Sequence, residues 1–320
     1  MLQRMTGVPV VRPAELRRAR RRRIERLAER QEGVLSRPQL YAAGVTRWEV
    51  RANLLAQRWR RLGSQTVSLS TGPLTMGAAD WVAVLEGGPR AFLDGASALR
   101  AAGLRNFDVA KIRVSVPRGA RVRRVRGVDV RQTRRWSPDD LAPGSGVPRS
   151  RSEVAAVRAA LWAASDRQAA LVLTMAVQQG LVSPTRLGVE ALRIRRDKRR
   201  RLLHAVILDL GAGVRSVGER EFARECRRRG LPEPSRQVVR LGRDGSWYLD
   251  VMWDAWGLVV EVDGIQHTWA QNIVGDALRQ NAVTLTNATV LRLPLLGLRV
   301  AADEFFAQIE EALCARGYAA

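Results

Sequence analysis

The chain has 320 residues, room for roughly two or three domains with substantial cores, and its formal net charge of +23 and pI near 11.6 are the strongest global signals. Lys and Arg outnumber Asp and Glu 54 to 31, which points to a polyanionic partner, nucleic acid first; bulk charge does not separate DNA from RNA. Only Lys111 and Lys198 are lysines, a coding habit of GC-rich bacterial genomes that exchanges Lys for Arg but does not create the excess of cations. No apolar run approaches the ~20 residues of a spanning helix, and no hydrophobic segment follows the Arg-rich start, so neither a membrane nor a secretory role is expected. Cys226 and Cys314 lie in unrelated segments, which argues against a disulfide scaffold or thiolate zinc site and fits a reducing cytoplasm.

Ala14 to Arg30 reads as a basic helix with a thin apolar stripe of Leu16, Ile24 and Leu27, by default a solvated lead-in to the next unit. Ser36 and Gln39, then Thr46 and Glu49, have capping-box spacing on either side of Gly44, so two short helices joined by a glycine turn are expected. The second runs to about Gln57 and presents Arg47, Trp48, Arg51 and Asn53 early, the pattern of a recognition helix entering a major groove. Trp59 to Leu62 and Thr66 to Leu69, around Gly63-Ser64, supply the strands of a wing. Through Gly33-Val-Leu-Ser-Arg-Pro-Gln-Leu40 and Ala43-Gly-Val-Thr-Arg47 this part resembles the N-terminal winged-helix domain of the abortive-infection family of antitoxins, which implies operator binding through such residues.

Ala91 to Leu104 reads as a helix ended by Gly103, and Lys111 to Val116 and Val128 to Arg131 as strands. Pro, Gly and Ser concentrate over Ser137 to Pro148, suggesting a connector. Helices should follow, opening at Ser152, running from Gln168 to Gly180, and starting again after Ser183. Arg193 to Arg201 is the densest positive run; Arg195, Arg196 and Arg199 are its candidate phosphate contacts, each adding about −0.9 to the logarithmic salt slope of binding. His204 reads as a core or helix-face residue.

The segment richest in chemistry is Tyr248 to His267. Two strands flank Asp254-Ala-Trp-Gly257, and if Asp254 faces Gly257, Asp250 falls opposite Glu261, with Cβ atoms roughly 5 Å apart. Asp263 joins that face; Leu249, Val251, Trp253, Leu258, Val260 and Val262 occupy the other. Close carboxylates call for a divalent cation, a raised pKa on one of them, or neighbouring arginines. The cation is the expectation, Mg²⁺ or Mn²⁺, because hard oxygen donors suit it. Ahead of the hairpin, Ser216 to Gly230 reads as a helix carrying Glu219, itself a capping-box acid on Ser216. Behind it, Asp276 and Arg279 share a helix face, Thr289 to Leu293 forms a strand and Asp303 to Ala315 a closing helix.

This order of elements resembles the PD-(D/E)XK nuclease fold. The string Ser216-x-x-Glu219-x-x-Phe222, Leu249-Asp-Val251, Val260-Glu-Val-Asp-Gly-x-x-His267, Asp276-x-x-Arg279 and Val290-Leu-Arg292 is similar to the actinobacterial domain-of-unknown-function family related to very-short-patch-repair endonucleases. The resemblance implies a metal-dependent phosphodiesterase in which Asp250, Glu261 and the Val262 carbonyl hold the ion and Glu219 completes the acidic cluster. The superfamily places Lys two residues after the metal-binding Glu; here Asp263 stands there, leaving His267 as general base or phosphate ligand, Arg279 to steady transition-state charge and Asp276 to orient one of them. The expected architecture is α+β: a winged helix-turn-helix at 1–85, an antitoxin-like α+β part and helical connector at 86–212, and a nuclease-like mixed sheet flanked by helices at 213–320. The competing reading is a catalytically inactive, antitoxin-type DNA-binding regulator. Oligomeric state is left open, a homodimer included.

Overall fold

The computed structural model describes residues 13–120, 125–133, 137–144, 146–212, 219–241, 247–263, 274, 277–278, 280–281 and 290–319. The chain is α+β and divides into two compact units, one of residues 1–97 and 109–150, the other of 98–108 and 151–320. Among the described residues, no helix is long and apolar enough to cross a membrane.

The first unit opens with α1 (Pro13–Arg30), β1 (Val34–Ser36), α2 (Arg37–Ala42), α3 (Arg47–Leu55), β2 (Arg60–Arg61) and β3 (Thr66–Ser68). The strands form an antiparallel sheet in the order β1-β3-β2, the winged-helix arrangement. Both expected capping boxes are made: Ser36 with Gln39 starts α2, Thr46 with Glu49 starts α3. Gly44 between them has φ +89°, the left-handed backbone that a tight helix-to-helix turn requires. Leu35, Leu40, Val45, Val50 and Val67 form the core, against which only the C-terminal half of α1 packs, through Ile24, Leu27 and Ala28. Leu16, expected in the same stripe, is exposed.

The wing turn is tied down from α4 (Met76–Gly87). The buried Glu86 carboxylate accepts the Ser64 hydroxyl at 2.7 Å, the Gln65 and Thr66 amides at 2.7 and 2.8 Å, and the Thr66 hydroxyl at 2.8 Å. A Cβ on Gly63 would come within 2.4 Å of that carboxylate, so this turn needs a glycine.

Beyond α4 the expected helix over 91–104 is shorter. Phe92 and Leu93 form β4 (Phe92–Leu93), antiparallel to β5 (Ile112–Pro117), and α5 (Gly95–Ala101) follows; β6 (Val128–Thr133) pairs with β5 in parallel. The Asp94 carboxylate accepts the Gly95 amide and the Ser150 hydroxyl, both at 2.9 Å, and thereby marks where strand gives way to helix. The Pro/Gly-rich stretch over 137–148 is also no simple connector. Leu141 bridges to Ser150, and the Leu93 amide donates to the Pro148 carbonyl at 2.8 Å, so the stretch closes the first unit. The boundary expected at 85 falls inside α4, which packs on both β1 and β5.

The second unit contains α6 (Ser152–Trp162), α7 (Asp166–Gln178), α8 (Pro184–Leu192), α9 (Arg200–Ala212) and α10 (Glu219–Arg228), followed by β7 (Arg236–Leu241), β8 (Trp247–Trp253), β9 (Leu258–Asp263), β10 (Val290–Pro294), α11 (Leu295–Val300) and α12 (Ala302–Cys314). The sheet order is β10-β9-β8-β7, antiparallel except for the β10–β9 pair. Alternation works as expected: Leu249, Val251, Trp253, Leu258, Val260 and Val262 are buried on one face. Phe222 of α10 meets Trp253 at 6.3 Å and Phe306 of α12 at 5.3 Å between ring centroids, joining both helices to that face. The boundary expected at 212 is not a division here, because α11 packs on α7 and α9 and Arg299 forms a two-pronged ion pair with the buried Asp209 at 2.7 and 3.1 Å.

Candidate functional site

Asp250 and Glu261 are direct cross-strand partners in the β8–β9 pairing, as the four-residue connection Asp254 to Gly257 requires. That connection is one turn of 3₁₀ helix over Asp254–Trp256 closed by Gly257 in the left-handed region at φ +59°. Trp253 is locked beneath it, its indole N–H donating to the Pro232 carbonyl at 2.9 Å. Anchoring at the turn matters because a one-residue slip of either strand would carry its acid to the core face and break up the pair.

The row continues across the sheet as Val238, Asp250, Glu261 and Arg292, one residue from each strand. Asp250 Oδ1 is buried, Glu261 is about one-quarter exposed, and the Arg292 side chain is more than half exposed. Arg292 Nε lies 3.7 Å from Glu261 Oε2. The resemblance string contains Arg292 without assigning it a role; its place between the buried Leu291 and Leu293 is the sign that it points to the acidic face. The outer edge of β10 is held by the buried Asn281, whose amide donates to the Arg292 carbonyl at 2.8 Å and accepts its N–H at 2.9 Å. Gln308 of α12 steadies Asn281 at 3.2 Å and itself donates to the Leu278 carbonyl at 3.0 Å.

Of the other expected site residues, Glu219 begins α10 and Asp263 ends β9 opposite Tyr248. Val262 is buried in a strand paired on both sides. His267, Asp276 and Arg279 lie outside the described residues, as do the Ser216 cap and the turn over 242–245. Among the described residues no group of three or more His, Cys, Asp or Glu side chains is assembled for an ion. In chemical type, two carboxylates on one row suit a hard divalent ion that keeps several waters, and Asp250, Glu261 and the Val262 carbonyl are the residues that would hold it.

In the first unit, α3 presents the expected surface. Arg47, Trp48 and Arg51 are exposed, Trp48 to 75%. Arg51 lies over the Trp48 ring and Arg47 over the Tyr41 ring, each 5.9 Å from the centroid, so both guanidiniums stand on aromatic supports.

The Arg193 to Arg201 run separates by environment. Arg195 and Arg196 are exposed in the connection between α8 and α9. Arg199 is buried, in correction of its expected phosphate contact: Nε is 2.8 Å from Asp166 Oδ1, and a terminal nitrogen donates to the Leu161 carbonyl at 3.0 Å. It ties the end of α6 to the start of α7, using donors that a phosphate would need.

No protein-family model matches the chain, and no curated protein matches it. Among solved structures it is similar to the crystal structure of the RV2827C protein from Mycobacterium tuberculosis, at 18% identity and a TM-score of 0.39, over 61% of this chain and 78% of that one.

Proposed function

We propose that the chain is a metal-dependent DNA endonuclease of the cytoplasm, with a winged helix in its first unit that grips duplex DNA. The observation carrying this reading is the cross-strand pair Asp250 and Glu261, set on the face of the sheet opposite its buried core. Two carboxylates held in register there present hard oxygen donors of the kind a divalent ion takes. A divalent ion bound by them would lower the pKa of a water and offset charge on the scissile phosphodiester.

The chain's own groups supply the rest. Arg292 offers a planar guanidinium beside Glu261, suited to a phosphate oxygen and standing in for the lysine that Asp263 replaces. Asn281 and Gln308 position it through the β10 backbone. Arg47, Trp48 and Arg51 on α3, with Arg195 and Arg196, supply the DNA contacts.

One observation favours a second reading. At 3.7 Å from Glu261, Arg292 is also a counter-ion, and a face neutralised that way suits an uncut-DNA regulator of the antitoxin type. Supercoiled plasmid incubated with the purified chain and Mg²⁺ or Mn²⁺ separates the two. Cleavage that falls by about 10²-fold or more in both Asp250→Asn and Glu261→Gln supports the nuclease. Retardation of duplex DNA without metal-dependent cutting supports the regulator, and cutting that survives both substitutions removes this site from the chemistry.

A further inference from the structure

We infer that the N-terminal half of α1 is a second DNA-binding element, an arginine arm that grips the phosphate backbone beside the groove entered by α3. This inference rests on the reading of the first unit as a DNA-binding winged helix. Three observations carry it.

The first is exposure. Residues 15–19 and 21–23 of α1 are all exposed and Arg20 is half-buried, whereas Ile24, Leu27 and Ala28 are seated in the core. The exposed stretch thus spans about nine residues, or ~13 Å of helix, comparable with the width of a DNA major groove. Burial of a greasy stripe does not explain this stretch, because Leu16 is 57% exposed.

The second is charge. Arg17, Arg18, Arg20, Arg21, Arg22 and Arg23 lie within residues 15–23, with Glu15 the one acid among them. Arg20 is paired with Glu49, and Arg21 with Glu25. Arg17, Arg18, Arg22 and Arg23 form no ion pair among the described residues. So dense a set of like charges repels itself unless an anion is supplied.

The third is fixed geometry. Arg20 donates to the Gly44 carbonyl at 2.8 Å, in the turn between α2 and α3, and to Glu49 of α3 at 2.6 Å. The Thr46 amide and Arg20 together hold the Glu49 carboxyl below its ordinary range, so it stays ionised as the anchor. The arm is thus latched to the element that would read the groove, and Arg17 and Arg21 border a cleft that also takes in Asn53 of α3. A helix in that relation meets the strand flanking the groove. An anionic membrane is the less fitting occupant, because the exposed half has no apolar face to insert.

The test is fluorescence anisotropy of a mixed-sequence DNA duplex, titrated with the full chain over a range of NaCl. Wild type is compared with a variant carrying Arg17→Gln, Arg18→Gln, Arg22→Gln and Arg23→Gln, whose circular dichroism and thermal midpoint should match wild type because these side chains lie outside the core. The slope of log affinity against log salt should shrink by about 0.9 for each phosphate no longer neutralised, or about 2 to 4 in all, with at least a ~10-fold weaker affinity near 0.1 M salt. Wild-type binding with an unchanged slope in the variant overturns the arm while leaving the winged-helix reading intact. Failure of the wild type to bind duplex overturns both, as does Arg-dependent capture by phosphatidylserine vesicles without duplex binding.

Discussion

Arg292 and Glu261 face each other across the parallel β9–β10 pair with Nε 3.7 Å from Oε2, which places a guanidinium on the row that carries the two carboxylates. If that cation binds phosphate, Arg292→Ala should lower single-turnover cleavage by about 10²-fold, a typical loss for one transition-state donor, while Arg292→Lys recovers part of it. Mn²⁺ affinity, followed by calorimetry, should be unchanged or tighter, because a competing positive charge has gone. Cleavage at the wild-type rate in Arg292→Ala would reduce the residue to a counter-ion.

Glu86 makes the wing sensitive to acid. Burial alone would raise its pKa, but hydrogen bonds from Ser64, Gln65 and Thr66 outweigh it and hold the carboxyl below its usual 4.5. Since the folded value is the depressed one, the stability it contributes is present above pH 4.5 and is lost as pH falls through the folded value. Glu86→Gln should cost about 1–3 kcal/mol at neutral pH and flatten the acid limb of a plot of melting temperature against pH. An acid limb identical to wild type would show that other carboxylates dominate. Gly63→Ala should destabilise the same turn by forcing this carboxylate aside.

Arg199 and its neighbours should separate stability from binding. Arg199→Ala removes a buried donor to the Leu161 carbonyl and the pairing with Asp166, whose own side chain is 64% exposed, so a loss of about 1–3 kcal/mol follows with little change in the salt slope for DNA. Arg195→Ala with Arg196→Ala should do the reverse: a slope smaller by up to about 2 and a melting temperature within error of wild type. Denaturant melts alongside anisotropy titrations check both halves, and a salt slope that drops in Arg199→Ala would contradict the inward placement.

The two thiols should differ sharply in reactivity. Burial, with Glu225 and Glu233 adding to it, pushes the Cys226 thiol up to about 12, and the side chain is inaccessible; Cys314 is exposed. Iodoacetamide should therefore label Cys314 alone in the native chain and both thiols in denaturant. Rapid labelling of Cys226 under native conditions, read by mass spectrometry of peptides, would mean that the α10 packing opens readily.

The local devices of this chain are legible along its length. Ser36 with Gln39 and Thr46 with Glu49 cap the helices their spacing announces, and period-two alternation with a four-residue connection sets Asp250 opposite Glu261. Each depends on residues a few positions apart, whose hydrogen bonds or faces follow from backbone geometry alone. What tertiary structure decided involves residues distant in sequence. Arg292 reaches Glu261 because β10 returns parallel to β9, and Glu86 holds the wing from another helix. Arg199 turns inward to Asp166 and Leu161 while Arg195 stays outside, although all three arginines at 195, 196 and 199 look alike in a basic run. Leu16 and Leu27 show the same limit: both match a helical stripe, but a core exists beneath only one, because burial depends on where the rest of the chain lies.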